Sequence, residues 1–143
     1  MKIIKYEDKY RDDMIFMILE AKNALGRVPG LNEDLLDIKR NYLDAGDMFW
    51  LAINEQDRVI GSIGYNSIRD TDEVWLHRLF VKYNLKRQGI GSALLEMAEN
   101  YIANQGKKVV RIHLGGDGFE ESKIFYTKYG YVLYRERYMM KNL

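Results

Sequence analysis

The residues best suited to chemistry form a basic, glycine-bearing segment, KRQGIGS at residues 86–92. An apolar run that ends at Leu79-Phe80-Val81 precedes it, and the strongly helical segment SALLEMA follows from Ser92. Glycine lets the backbone approach a ligand closely, and the first N–H groups of a helix lack intrahelical partners and lie at the positive end of its dipole. A strand, a glycine turn and a helix start in this order predict an anion cradle, for which phosphate or pyrophosphate is the best ligand.

The composition limits the classes of protein to which this chain can belong. Its 143 residues suit one domain over 1–143, and 47% hydrophobic with 30% charged residues is typical of a soluble globular protein. With 22 basic against 21 acidic residues the net charge is +1, which argues against nucleic acid as a partner. The absence of cysteine excludes disulfides, thiolate metal sites and a cysteine nucleophile.

The sequence shows no targeting or membrane segment. The start MKIIKY is too short and too interrupted for a signal peptide, and no apolar run approaches roughly 18 residues. We therefore expect a cytoplasmic protein with no membrane partner, and a homodimer is left open.

Hydrophobic periodicity predicts alternating strands and helices. In chain order they are a strand over 3–6, helices over 10–25 and 32–45, strands over 48–53, 59–67 and 73–82, a helix over 91–105, a strand over 108–114, a helix over 120–129 and a strand over 131–140. Short polar connections make the three central strands an antiparallel meander, and the helix over 91–105 is a crossover. The predicted fold class is α+β, a mixed sheet flanked by helices in the order β-α-α-β-β-β-α-β-α-β.

This order, with the glycine turn after the meander, resembles the GNAT N-acetyltransferase superfamily over essentially the whole chain. The segment LFVKYNLKRQGIG at 79–91 aligns without a gap with that family's strand, pyrophosphate loop and (Arg/Gln)-x-x-Gly-x-(Gly/Ala) signature. The segment SKIFYTKYGY at 122–131 is similar to the family's Ala-x-x-x-Tyr-x-x-x-Gly-Phe pattern. Two motifs in the right order are far more specific than a lone Gly-x-Gly.

The resemblance implies acetyl-coenzyme A as co-substrate and no metal. Its pyrophosphate would lie on the N–H groups of residues 87–92, and its pantetheine arm would pair with the backbone of Leu79 and Val81. The implied cofactor-binding residues are Leu79, Phe80, Val81, Lys86, Arg87, Gln88, Gly89, Ile90, Gly91, Ser92, Ser122 and Tyr126. The chain also departs from the family's pattern. Arg87 replaces a common glycine, and Phe119 replaces a common asparagine that bonds the cofactor arm. Smaller departures are Lys86 for arginine or glutamine, Tyr83 for proline, Leu85 for an aromatic residue and Ser122 for alanine.

An amine acceptor must lose a proton. A lysine-like amine has a pKa near 10.4, so about one molecule in 10³ is neutral at pH 7 and a base or water chain is expected. The family's usual glutamate aligns with Trp75, which cannot act as a base. Glu73 and His77 share its face by strand alternation. Both stay candidates, since a histidine pKa near 6.5 is suitable and burial could raise that of Glu73.

Tyr126 aligns with the family's tyrosine near the thioester sulfur. A thiol with a pKa near 8.5 is a stronger acid than a phenol near 10, so complete proton transfer from tyrosine is uphill by about 2 kcal/mol. We therefore expect Tyr126 to stabilise the departing sulfur with a hydrogen bond. His113, near the end of its strand, is expected to be an ordinary sheet histidine.

The acceptor is expected between the first two helices and the central strands. It would be a primary amine of a small molecule or peptide, and the candidate substrate-binding residues are Arg27, Leu31, Tyr65 and Trp75. Glu33 and Asp34 lie nearby but are explained as first-turn partners of a helix dipole. Two alternatives stay open, a non-catalytic module that binds coenzyme A and an acyltransferase that uses another acyl-coenzyme A.

Overall fold

The computed structural model describes residues 1–115 and 119–143. Its strands are β1 (Lys2–Lys5), β2 (Met48–Ile53), β3 (Val59–Ser67), β4 (Glu73–Val81), β5 (Val109–His113), β6 (Val132–Arg135) and β7 (Tyr138–Asn142). Its α-helices are α1 (Arg11–Ala24), α2 (Ile90–Asn104) and α3 (Phe119–Lys128). Short 3-10 or π-helical turns span Asp8–Tyr10, Glu33–Leu36, Lys39–Leu43 and Tyr83–Leu85.

The strands form one seven-stranded sheet in the order β1-β2-β3-β4-β5-β7-β6. Every neighbouring pair is antiparallel except β4 and β5, which are parallel because α2 connects them as a crossover. The mixed α+β fold class and the central meander are thereby confirmed. Pairing between β4 and β5 runs from Glu73↔Val109 to Trp75↔Arg111. Beyond that register β4 continues to Val81, so the two strands separate at the middle of the sheet.

Strand alternation divides the apolar residues between the two faces of the sheet. On one face α1 buries Met14, Met17 and Ile18 against Phe49 and Leu51 of β2. On the other face the buried side of α2 packs in a second cluster, whose members include Leu94, Leu95, Ala98, Ile102, Ile63, Val74 and Leu76. The sheet is therefore covered on both faces near β4, where the candidate site lies.

The helix predicted over 32–45 is replaced by two short turns. Asn32, the expected N-cap, makes no capping bond, because its side-chain oxygen accepts a hydrogen bond from Lys22 Nζ. Asp37 leaves the helical region at φ −145°, and its carboxylate accepts the N–H of Arg40 at 3.0 Å. Side chains that bond the backbone or tertiary partners compete with a continuous helix, which explains the difference.

The strand predicted over 131–140 is a hairpin of β6 and β7. Arg137 occupies the left-handed region at φ +60° in the connection. Such turns usually carry glycine, asparagine or aspartate, and the segment RER offers none of these. The sequence therefore lacked the signal that would have divided this strand.

Among residues 1–115 and 119–143, no helix combines the length and apolar character needed to cross a bilayer. Within the same described residues, no group of three or more His, Cys, Asp or Glu side chains is placed to hold a metal ion.

Candidate active site

A β-bulge in β4 shapes the site. His77 pairs with Gly64 and Phe80 with Ser62, so three residue steps on β4 oppose two on β3. Arg78 takes φ +57° in this bulge, and Ser62 Oγ donates a hydrogen bond to its carbonyl oxygen at 2.8 Å. A bulge redirects the side chains around it. Here it allows Arg78 to reach the turn Glu33–Leu36 on the α1 side of the sheet.

Arg78 and Asp34 form a two-point ion pair between this turn and the bulge. Arg78 Nη2 lies 2.8 Å from Asp34 Oδ1, and Nε donates to Oδ2 at 3.0 Å. Tyr42 OH donates to the same Oδ2 at 2.6 Å. Burial alone would raise the pKa of Asp34, but the hydrogen bonds from Arg78 and Tyr42 outweigh it, and the pKa is lowered. Asp34 thus anchors the loop to the sheet, a role that the helix-dipole interpretation did not foresee.

We expect Asp34→Asn to lower the free energy of unfolding by about 2 kcal/mol at pH 7, because it removes charged hydrogen bonds to a half-buried guanidinium. Since the folded pKa of Asp34 is lowered, its contribution is complete above the unfolded value near 3.9 and is lost as pH falls through the folded pKa. Urea unfolding of the wild type and of Asp34→Asn across pH tests this prediction. The difference between their unfolding free energies should shrink as pH falls.

Asp44→Asn is the matched control for that measurement. Lys39 Nζ lies 2.8 Å from Asp44 Oδ1, but these side chains are 66% and 54% exposed. An exposed pair contributes little, so the control should change the unfolding free energy by less than about 1 kcal/mol. An equal loss in both variants would contradict the anchoring role of Asp34.

Two adjacent cavities meet at the bulge. The first, which we name the β4–β5 cavity, has a volume of about 700 Å³ and lies where the two strands separate. Its walls are the loop after α1, the middle of β4, the end of β5, and Ser122 and Tyr126 of α3. The second, which we name the cofactor cleft, has about 450 Å³ and is bounded by the end of α1, by β4, by α3 and by the loop before α2. Leu79 and Phe80 line both cavities.

The start of α2 forms the base of the cofactor cleft. Gly89 precedes the helix at φ +82°, and its carbonyl accepts the N–H of Ala93 at 3.0 Å. The preceding N–H groups of the first turn therefore have no intrahelical acceptor. Arg87 also adopts a left-handed backbone, at φ +65°. This conformation gives a physical reason for glycine at that position and is strained for arginine.

The basic side chains of the loop take different positions. Lys86 Nζ pairs with Glu121 Oε1 of α3 at 3.0 Å, and both side chains are solvent-accessible. Lys86 and Arg87 line the cleft, whereas Gln88 is exposed and lines neither of the two cavities. A phosphate entering the cleft would therefore compete with Glu121 for Lys86.

Tyr126 reaches the β4–β5 cavity from α3. It is 8% exposed, and its ring packs against Phe125 at 5.2 Å and Tyr131 at 5.4 Å between centroids. Burial raises the pKa of its phenol. Its hydroxyl consequently stays protonated at neutral pH and can donate a hydrogen bond to a developing negative charge.

Both histidines of the chain line the β4–β5 cavity. His77 lies beside the bulge, with its ring 6.4 Å from that of Tyr42. Burial and then the charge of Arg78 lower the pKa of His77, so its imidazole is neutral at pH 7 and able to accept a proton. His113 lies at the exposed end of β5, with its ring 4.7 Å from that of Tyr138.

Three sequence-predicted site residues lie away from this cavity. Glu73, at the start of β4, pairs with Arg111 Nη2 at 2.6 Å. Trp75 packs edge-on to Tyr138, with 6.0 Å between ring centroids. Tyr65 is 1% exposed, because alternation along β3 directs it into the cluster beneath α2. None of the three lines the β4–β5 cavity or the cofactor cleft.

The remaining predicted residues, apart from Gln88, line the two adjoining cavities. Arg27, Leu31, His77, Ser122 and Tyr126 line the β4–β5 cavity. The cofactor cleft is lined by Leu79, Phe80, Val81, Lys86, Arg87, Gly89, Ile90, Gly91 and Ser92. The cavity also contains Lys22 and His113, which sequence reasoning did not select. A lysine among the apolar residues of α1 was the signal for the first.

The position expected to carry the family's asparagine is Phe119, the first residue of α3. It is partly buried against the cluster beneath α2, and the guanidinium carbon of Arg137 lies 4.9 Å from its ring centroid. An aromatic ring cannot supply the amide hydrogen bond. The glycine-rich segment GGDG at 115–118, where the sequence indicates a break before this helix, lies outside the described residues except for Gly115.

Comparison with known proteins gives matches at three levels. A family model described as acetyltransferase (GNAT) family matches residues 13–131. N-acetyltransferase 8 of Homo sapiens is 32% identical over 87 residues, which cover 57% of this chain and 38% of that protein. The probable N-acetyltransferase 14 of Xenopus tropicalis is 28% identical over 93 residues, covering 65% of this chain and 43% of that protein. The chain thus spans about two fifths of the length of these relatives.

Solved structures extend the similarity to the complete fold. A GNAT-family acetyltransferase from Staphylococcus aureus Mu50 has a TM-score of 0.90 and 27% identity, covering 99% of this chain and 98% of that one. The PaiA N-acetyltransferase of Thermoplasma acidophilum, in complex with coenzyme A, has a TM-score of 0.78 and 20% identity over 99% and 98% of the two chains. Because the family model covers most of the sequence and the fold agrees throughout, this chain belongs to the acetyltransferase (GNAT) family.

Proposed function

We propose that this chain transfers an acetyl group from acetyl-coenzyme A to a primary amine of a small molecule or peptide. The observation that carries the proposal is the junction of the two cavities at Leu79 and Phe80. One cavity offers anion-binding N–H groups at the start of α2, and the other contains Tyr126 and a neutral His77. A two-substrate reaction needs two such adjoining sites.

The cofactor cleft fits a phosphate-bearing co-substrate. The N–H groups that begin α2 would bind its pyrophosphate, with Lys86 and Arg87 adding charge. The part of β4 from Leu79 to Val81 would hold its arm, because β5 has already separated from β4 there. The bound thioester would supply an activated acetyl group. PaiA, which has the same fold, was solved in complex with coenzyme A, which supports coenzyme A as the kind of co-substrate proposed here.

The chemistry assigned to the chain is proton handling around a direct attack. The amine nitrogen forms a bond to the acetyl carbon, and the carbon–sulfur bond breaks with its electron pair on sulfur. His77, alone or through water, would take the proton that the amine gives up. Tyr126 would donate a hydrogen bond to the departing sulfur. Glu73 is less suitable than His77 as the base because its carboxylate is held by Arg111 outside the cavity.

The choice of base is testable by pH dependence. We expect His77→Gln to lower kcat/KM about a hundredfold, the lower end of general-base effects. The wild-type profile should decline only below pH 6.5, because the pKa of His77 is lowered and the basic form is lost as pH falls through it. The decline below pH 6.5 should be absent from the profile of His77→Gln. If Glu73→Gln instead removes this decline and His77→Gln retains it, the assignment of the base to His77 is wrong.

Thiol release separates the proposed enzyme from its alternatives. Acetyl-coenzyme A is incubated with the protein and with a panel of small amines, polyamines and peptide amines. We expect at least one amine to accelerate thiol release in proportion to protein concentration, with an acetylated amine as product. Binding of acetyl-coenzyme A without acceleration of thiol release by any amine would favour a non-catalytic coenzyme A-binding module. This module is the second candidate because Trp75 stands where the family usually has a glutamate. Faster release from propionyl-coenzyme A would favour another acyl group.

A cytoplasmic location and a homodimer stay predictions.

A further inference from the structure

We propose that Lys22 is itself an acceptor, acetylated on Nζ by acetyl-coenzyme A bound to the same chain. This inference rests on the proposed function, because that function places the acetyl donor in the cofactor cleft. Its basis is the position of one buried lysine where the two cavities meet.

Lys22 lies on the wall of the β4–β5 cavity. Its Nζ lies 5.9 Å from the ring centroid of Phe80, and Phe80 lines both this cavity and the cofactor cleft. Tyr126, the residue proposed to contact the departing sulfur, lines the same cavity. An acetyl group that reaches Tyr126 past Leu79 and Phe80 therefore enters the cavity whose wall contains Lys22. A nucleophile held beside an activated group gains an effective concentration of roughly 10⁵ M or more when the pair is well oriented.

The other lysines of the site lie elsewhere. Lys86 and Lys128 line the cofactor cleft and not the β4–β5 cavity. Among residues 1–115 and 119–143, Lys22 is the one lysine that lines the β4–β5 cavity. Position therefore selects Lys22 as the internal amine for a thioester that reaches this cavity.

Two hydrogen bonds hold Nζ in place. It donates to the carbonyl oxygen of Gly30 at 2.7 Å and to Asn32 Oδ1 at 2.5 Å. An ammonium has three N–H donors and a neutral amine has two, so loss of one proton leaves a donor for each acceptor and adds a lone pair. The nucleophilic form is thus compatible with the same packing. Burial is the main cause that lowers the pKa of Lys22, with the charge of Arg78 next, and both favour the neutral amine.

The step is the proposed reaction with an internal amine. The Lys22 ammonium gives one proton to His77 or to water, and the lone pair of Nζ forms a bond to the acetyl carbon. The carbon–sulfur bond breaks with its electron pair on sulfur, which takes the second proton that the nitrogen releases. The products are acetyl-lysine, the free thiol of coenzyme A and one proton. The new amide keeps one N–H for two acceptors, so acetylation also weakens the hold of Lys22 on the loop after α1.

Mass spectrometry of the wild-type chain tests the inference without an added amine. The protein is incubated with acetyl-coenzyme A, and peptide mapping follows the acetylation of each lysine. Lys39 is the internal control, since its side chain is 66% exposed and reports acetylation from solution. We expect Lys22 to be acetylated about a hundredfold faster than Lys39 or more, a small part of the advantage of a well-oriented pair. A rate at Lys22 no faster than at Lys39 would overturn the inference.

The concentration dependence shows whether the donor is cofactor bound to the same chain. The rate constant at Lys22 should saturate with acetyl-coenzyme A, should not depend on protein concentration, and should fall when excess coenzyme A competes. The rate at Lys39 should rise in proportion to acetyl-coenzyme A. A rate constant at Lys22 that rises with protein concentration would show transfer between chains and contradict the proposal.

Lys22→Arg removes the acceptor amine and keeps the charge, and Lys39→Arg is the matched control. Rapid uptake of one acetyl group should be lost in the first variant and retained in the second. Rapid uptake that survives Lys22→Arg would overturn the inference. If Lys22→Arg does not fold by circular dichroism, the peptide map of the wild type decides.

The peptide map also separates this inference from the proposed function. If an added amine accelerates thiol release but Lys22 is acetylated no faster than Lys39, the proposed function stands and this inference fails. If no added amine accelerates thiol release, the proposed function fails. The peptide map then still decides the inference, because Lys22 is the acceptor under test and no other amine is needed.

Discussion

Replacing Tyr126 with phenylalanine is expected to lower kcat about a hundredfold while acetyl-coenzyme A binds as before. One preorganised hydrogen-bond donor to a developing negative charge contributes roughly 10²–10³ in rate, and the phenol is the donor proposed for the departing sulfur. The substitution keeps the ring, which packs between Phe125 and Tyr131, so the fold should be retained. The raised pKa of the phenol ensures that wild type has the proton to donate across the neutral pH range.

Steady-state thiol release with a responsive amine measures this effect, and calorimetry measures cofactor affinity separately. Tyr134→Phe serves as the control, because this tyrosine is 40% exposed on β6 and lines neither cavity. It loses the same hydroxyl and should retain wild-type kcat. An unchanged kcat in Tyr126→Phe would remove the leaving-group role, and loss of cofactor affinity alone would make Tyr126 a binding residue.

Ser92→Asp is expected to weaken acetyl-coenzyme A binding about a hundredfold without destabilising the protein. Ser92 lies in the first turn of α2 and lines the cofactor cleft, where its hydroxyl donates to the carbonyl of Gly89 at 3.1 Å. A carboxylate in the first turn stabilises a helix by about 0.3–1 kcal/mol. The same carboxylate repels a phosphate, by roughly 3 kcal/mol for unit charges about 5 Å apart at an effective dielectric constant near 20.

Ser92→Asn isolates the charge in this experiment, since asparagine has the same size as aspartate and is neutral. Calorimetric affinities and thermal unfolding should be compared for wild type and both variants. We expect asparagine to retain affinity within about tenfold and aspartate to lose it, with the loss reduced at high salt. Equal affinities for the two variants would show that the pyrophosphate does not lie at the start of α2.

The cofactor cleft could be predicted from sequence because its determinants are local. The loop 86–92, the strand before it and the helix after it are contiguous, so their order defines the geometry. Tyr126 was selected by its motif and by its distance downstream. Its arrival beside β4 depends on α3 packing over the sheet.

The acceptor side of the candidate site depends on tertiary features that the sequence pattern does not predict. Alternation correctly placed Glu73, Trp75 and His77 on one face, but the cavity opens only where β4 and β5 separate beyond Trp75↔Arg111. The bulge at Arg78 contains no glycine, so nothing in the sequence announced it. Tyr65 lies in the cluster beneath α2 and does not line the acceptor site. The sequence alone does not show which face of β3 packs against α2.

The conformation of the loop after α1 could not be predicted from the sequence for a related reason. Asn32 and Asp34 read as helix-start residues, yet both side chains bond partners that are distant along the chain. Propensity describes what a residue does when no tertiary partner competes, and here Lys22 and Arg78 compete. These same contacts hold the loop after α1 at the wall of the β4–β5 cavity.

We propose that the start of α2 and the strand β4 bind acetyl-coenzyme A. Calorimetric titration of the wild-type chain with acetyl-coenzyme A measures this binding. We predict saturable one-to-one binding that weakens as salt increases, because the contacts are to phosphates. Absence of binding at millimolar acetyl-coenzyme A would contradict the proposed cofactor site.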